Sequence, residues 1–73
     1  MARVLHLVKG THVELARATI ERQLTVGDSV TVAILEGAPP PLPARVTLRI
    51  VGHDCTWDQL LDLLFAADHV VTW

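Results

Sequence analysis

Val4-Leu5-His6-Leu7-Val8, bounded by Arg3 on one side and by Lys9-Gly10 on the other, is the stretch on which the fold turns. A run of this kind, with His6 as its single polar member, leaves no wet face. It reads as a strand buried on both sides, and so as part of a parallel sheet. Thr11-His12-Val13-Glu14 then reads as a capping box, in which the Thr hydroxyl accepts from the third helical N–H while Glu reaches back. Val13, Ala16, Ile20 and Leu24 follow at spacings of three and four, with Glu14, Arg17, Glu21 and Arg22 mainly elsewhere, so an amphipathic helix is expected. Gly27 suits its carboxyl-terminal cap, and Gly27-Asp28 leads into the next strand.

Ser29 to Leu35 is the second strand, with Val30, Val32 and Ile34 on one face and Thr31, Ala33 and Leu35 on the other. The segment Glu36-Gly37-Ala38-Pro39-Pro40-Pro41-Leu42-Pro43 holds all 4 prolines of the chain, which cannot donate to a ladder. It reads as an extended connector near polyproline II geometry. Arg45 to Val51 is the third strand, with Val46, Leu48 and Ile50 opposite Arg45, Thr47 and Arg49. Gly52-His53-Asp54-Cys55 is a loop, and Thr56-Trp57-Asp58-Gln59 offers a second capping box. Leu60, Leu61, Leu63, Leu64, Phe65, Ala66 and Ala67 then give a helix with a wide apolar arc, its narrow polar side marked by Asp58 and Asp62. Val70-Val71-Thr72-Trp73, after Asp68-His69, suits a short last strand. No internal repeat is visible.

The element order, strand-helix-strand-strand-helix-strand over a single α/β domain spanning 1–73, admits two architectures. One is a ferredoxin-like βαββαβ domain, with the second and third strands antiparallel and both helices on one face. The other is a small two- or three-layer domain with a four-stranded parallel sheet in the order 2-1-3-4, the first strand lying between the second and third. Glu36 to Ala44 would then be a crossover without a helix, reaching about 28 Å at roughly 3.1 Å per residue.

Composition narrows the function classes. The chain has 73 residues, 51% hydrophobic and 19% charged, which excludes a disordered linker. A domain of this size buries only about 60% of the surface that its unfolded chain exposes, and its 1 cysteine excludes an internal disulfide staple. A homo- or hetero-oligomer, at least dimeric at micromolar concentration, is expected. The 6 basic residues are dispersed and the net charge is -2, which argues against direct nucleic-acid binding. No apolar stretch reaches the roughly 20 residues of a membrane span, and the start lacks a signal pattern, so the expectation is a cytoplasmic protein with no membrane association.

Both ends of the chain are similar to one family. Leu5-His6-Leu7-Val8-Lys9, then Gly27-Asp28-Ser29-Val30 and Glu36-Gly37-Ala38, resemble the start of the DsrH/TusB family of small sulfur-relay subunits. Trp57 with Leu60-Leu61-Asp62-Leu63-Leu64, then Asp68-His69-Val70-Val71-Thr72-Trp73, resemble its aromatic-led helix and terminal strand. The resemblance covers about two thirds of the chain. It implies a flavodoxin-like parallel α/β fold and work within a hetero-oligomer of related sulfur-carrier subunits, in tRNA 2-thiouridine formation or sulfur oxidation. The chain is shorter than that pattern at its proline-rich segment. Where some members carry a cysteine in the first helix, it has Thr19-Ile20-Glu21-Arg22. The role implied is therefore noncatalytic, in assembly and docking, with no cofactor.

Several residues remain candidates for chemistry. In a parallel sheet the loops Lys9-Gly10-Thr11-His12 and Gly52-His53-Asp54-Cys55-Thr56 both open helices at the strands' carboxyl ends, where ligands usually bind. Lys9, Gly10, Thr11, His12 and Thr56 would receive an anion or an acidic group of a partner; the plain alternative is two ordinary capped loops. Cys55 with His53 is the candidate nucleophile of a thiol-dependent sulfurtransferase, against an inert buried thiol. His6, His12, His53 and Cys55 match no compact zinc spacing. His6 reads as a hydrogen-bonded core histidine and His69 as a surface or helix-end residue. Trp57 and Trp73 are interface anchors or packing residues, packing being favoured for Trp57. A stand-alone ferredoxin-like binding module is the remaining alternative.

Overall fold

The computed structural model describes residues 2–9, 13–37 and 42–73. The elements are β1 (Arg3–Val8), α1 (Val13–Thr25), β2 (Ser29–Ile34), β3 (Thr47–Ile50), α2 (Trp57–Ala66) and β4 (His69–Thr72). All of the strand pairs are parallel, which removes the ferredoxin-like alternative: β2 and β3 run side by side in register from Thr31↔Thr47 to Ile34↔Ile50.

The strand order is β3-β2-β1-β4, not the 2-1-3-4 expected from the sequence. β1 is central, as its apolar run requires, but its second neighbour is β4, while β3 lies outside β2. The reason is physical. From β2 the position beside it is one strand spacing away, about 4.8 Å, and so nearer than the far side of β1. The alternating burial of β3 suits an edge, because a strand beside β1 in mid-sheet would be covered on both faces.

The pleat divides the core in two. Val8, Val30, Val32 and Ile34 face α1 and pack with Ile20 and Leu24, joined by Leu42, Val46, Leu48, Ile50 and Trp73. Leu5 and Ala33 face α2 and pack with Cys55 and Leu60. The result is three layers with one helix on each face of the sheet.

Local chemistry sets the ends of the helices. Gly27 (φ 90°) takes the left-handed position after α1. Its N–H donates to the Leu24 carbonyl at 3.1 Å and the Asp28 N–H to that of Gln23 at 3.0 Å, the paired bonds of a Schellman cap. Thr56 caps α2 as its sequence implies: the Gln59 N–H donates to Thr56 Oγ1 (3.2 Å) and the Thr56 N–H to Gln59 Oε1 (2.8 Å). The capping box expected at Thr11 lies outside the described residues.

Two aspartates, each immediately before a strand that flanks β1, hold its amino end. Asp28 Oδ1 accepts the Ala2 N–H at 3.1 Å, and Asp68 Oδ2 accepts the Arg3 N–H at 2.8 Å.

Candidate functional site

In the order β3-β2-β1-β4 the chain leaves β1 through α1 towards β2 and β3, then returns through α2 on the opposite face to β4. The direction of winding reverses between β1 and β4, the place where open parallel sheets bind ligands at their carboxyl ends. On the α1 side, His6, Gln23 and Trp73 come together beneath that point.

His6 is fully buried and is the only buried polar or charged residue among those described. Its Nδ1 lies 2.8 Å from Trp73 Nε1 and its Nε2 lies 2.6 Å from Gln23 Oε1. An indole nitrogen can only donate, so Nδ1 must be the acceptor. The proton of the neutral ring therefore sits on Nε2 and is donated to Gln23. The two rings are nearly coplanar, 15° apart with centroids separated by 6.1 Å, and meet edge to edge through this bond. Burial holds the His6 pKa below the ordinary histidine value, outweighing the opposite pull of the Gln23 hydrogen bond. The ring thus stays neutral with both nitrogens engaged, which leaves it no lone pair for a metal and no proton to relay. It is the hydrogen-bonded core histidine expected from the sequence.

Of the anion-site candidates, Lys9 and Thr56 lie among the described residues. Lys9 is exposed after β1, while Gly10, Thr11 and His12 lie outside the described residues. The loop after β3 is at the same end of the sheet, but β2 stands between, and α2 starts on the other face from α1. The Thr56 hydroxyl is engaged by its own helix cap.

Cys55 is 4% exposed, bridged to Val51, and its thiol donates to the Thr56 carbonyl at 3.3 Å. His53 is exposed in the preceding turn, and no hydrogen bond joins it to Cys55. Cys55 also lines a groove with Arg49, Asp54, Gln59 and Asp62. Among the described residues no group of three His, Cys, Asp or Glu side chains could hold a metal ion, and no helix is long and apolar enough to cross a membrane.

The two tryptophans part company. Trp73 packs against the α1-side core, while Trp57 is exposed, against the packing reading favoured for it. Gln23, on α1, carries no local signal as the partner of His6. Trp57, an interface candidate from the sequence, is joined by Leu61 and Phe65 in an exposed stripe at spacings of four, distinct from the buried set that begins at Leu60. No protein-family model, curated protein or solved structure matches the chain.

Proposed function

We propose that this chain is a noncatalytic subunit of a cytoplasmic sulfur-relay hetero-oligomer, serving its assembly rather than carrying sulfur. The observation that carries the noncatalytic part is the state of Cys55. It is the 1 thiol of the chain, it is 4% exposed, and its hydrogen is committed to a backbone carbonyl. A persulfide carrier must present its sulfur to a donor and then to an acceptor, and reactive cysteines are correspondingly accessible. His53, the candidate base, does not engage it.

The relay part rests on the resemblance to the DsrH/TusB family. It is supported by the way the two ends of that resemblance meet in space. The Leu5-His6-Leu7-Val8 start and the Val70-Val71-Thr72-Trp73 finish are neighbouring strands, joined by the His6–Trp73 hydrogen bond. The Gly27-Asp28 and Asp68 elements of the same pattern both fasten the amino end of β1.

The test is direct. The chain is incubated with a cysteine desulfurase and cysteine, and Cys55 is read by mass spectrometry before and after addition of cysteine-bearing relay subunits. Expected are no persulfide on native Cys55, stable co-purification with those subunits, and transfer through them unchanged within a few-fold by Cys55→Ser. Accumulation of persulfide on native Cys55 would make the chain a carrier and overturn the noncatalytic reading. Failure to associate with any relay subunit would overturn the relay reading.

A further inference from the structure

The apolar surface of α2 exceeds what the sheet covers. Leu60, Leu63, Leu64 and Ala67 pack inward around the Leu5 cluster, whereas Trp57 is 64%, Leu61 51% and Phe65 87% exposed. At about 100° per residue, spacings of four place these three along one flank of the helix. The opposite flank is accounted for: Leu63 and Ala66 border a cleft with Ser29 and Thr31 of β2, and Gln59 and Asp62 line a groove with Arg49 of β3. The stripe therefore faces the β4 side. There Val70, 44% exposed and in register with Leu5, extends the stripe on the same face of the sheet. Among the described residues nothing pairs with the outer edge of β4.

We infer that a second copy of this chain covers the stripe, with the α2 helices antiparallel about a two-fold axis near Leu61. Three observations select a copy over an unrelated partner. Trp57 and Phe65 stand four residues to either side of Leu61, so the axis sets Trp57 against Phe65 of the partner subunit and makes the stripe self-complementary. The area is sufficient: whole aromatic side chains bury about 150–250 Å² each, so the exposed stripe with Val70 offers on the order of 500 Å² per copy. Doubled by the symmetry, that reaches the roughly 1,000 Å² at which specific interfaces begin, before the rim is counted. Finally, the same axis brings the free β4 edges towards each other, and a free strand edge is a template for pairing. The inference does not depend on the sulfur-relay reading.

The rim distinguishes a copy from a basic partner. Asp58 borders the stripe, Asp62 lies further round α2 towards the Arg49 groove, and α2 carries no basic residue, so two copies set like charges along one side of the contact. Added salt screens that repulsion, and self-association holds or tightens with it. A partner recognised through a basic rim would be released instead.

The test is sedimentation velocity of the whole chain across the micromolar range, at low and high sodium chloride. Expected is a dimer that persists at high salt and that Phe65→Asp weakens by about tenfold or more. Circular dichroism melts of Phe65→Asp at low concentration keep the folded signal, because the side chain it replaces is exposed. As a second measure, Leu61→Cys forms an intersubunit disulfide under mild oxidation while the wild type, with its buried Cys55, does not. A monomer throughout the range, a dimer indifferent to Phe65→Asp, or a dimer dissolved by salt would each overturn the inference. So would a monomer whose stripe binds a basic amphipathic helix. None of these outcomes bears on the persulfide state of Cys55, so the two proposals fail separately.

Discussion

Trp73→Phe isolates the indole N–H, because it keeps an aromatic ring in the α1-side core and removes the donor 2.8 Å from His6 Nδ1. At neutral pH the variant leaves a buried acceptor without a partner, at a cost of about 1–3 kcal/mol. The smaller ring adds a little lost contact. The pH dependence supplies a second, sharper signature. In the wild type, burial disfavours a charge on the ring, and protonating Nδ1 would also point an N–H at the indole N–H. The folded-state pKa of His6 is therefore below its unfolded value. The unfolded chain binds the extra proton first as pH falls. Stability is then full above about 6.5 and drains below it, until pH passes the folded-state value, by at most ~1.4 kcal/mol per pH unit. In Trp73→Phe no donor opposes protonation of Nδ1, so the folded pKa moves back towards the ordinary value and this loss shrinks. Urea denaturation, followed by far-ultraviolet circular dichroism at one fixed protein concentration, is run just above and about one unit below pH 6.5. The variant is expected to be less stable at the higher pH and to lose less on acidification. A variant as stable as the wild type at the higher pH, or one with the same pH dependence, would refute the assigned tautomer and its role.

Other substitutions probe the local chemistry. Gly27→Ala meets no atom within 4 Å of the new Cβ, so its cost comes from the backbone at φ 90° alone. About 1 kcal/mol should be lost, measurable as a lowered urea midpoint with an unchanged slope. Thr56→Ala removes the hydroxyl that accepts the Gln59 N–H and should cost about 0.5–2 kcal/mol in the same assay. Because Cys55 is buried, a thiol reagent should modify it far more slowly in the native protein than in urea, by stopped reaction and mass spectrometry. Equal rates would show that the loop after β3 opens readily.

Much of the fold was legible because its signals are local. The apolar run of β1 has no wet face, Gly27-Asp28 requires a left-handed residue at a helix end, and Thr56 with Gln59 is a complete capping box in four residues. The place of β3 was only partly legible. Its alternation of Leu48 and Ile50 with Thr47 and Arg49 suits an edge strand, but the reach of the connector alone permits a neighbour in β1 or in β2. Nor did the apolar arc of α2 say which flank the sheet would cover, since hydrophobicity alone does not distinguish Leu60 from Leu61. The candidate site was half legible. His6 was recognisable as a core histidine, but its partners are 17 and 67 residues away, beyond any local pattern.

That separation explains why a polar residue sits in the most buried strand. An aliphatic side chain at position 6 would fill the core without specifying anything, because Val4 and Val8 of the neighbouring β1 accept many alignments of a four-residue β4. Histidine makes the alignment costly to miss. Side chains alternate along a strand, so slipping β4 by one residue against β1 would turn Trp73 to the α2 face and offer Thr72 to His6 in its place. The indole bond would be lost, and unless the much shorter Thr72 side chain reached Nδ1 with its hydroxyl, that acceptor would be buried without a donor, at about 1–3 kcal/mol. Gln23 completes the constraint from the other side: it holds the Nε2 proton, and so fixes Nδ1 as the acceptor that only a correctly placed donor can satisfy. One buried ring thus ties the first strand, the first helix and the residue after the last strand into a single register, which an entirely apolar core would leave open.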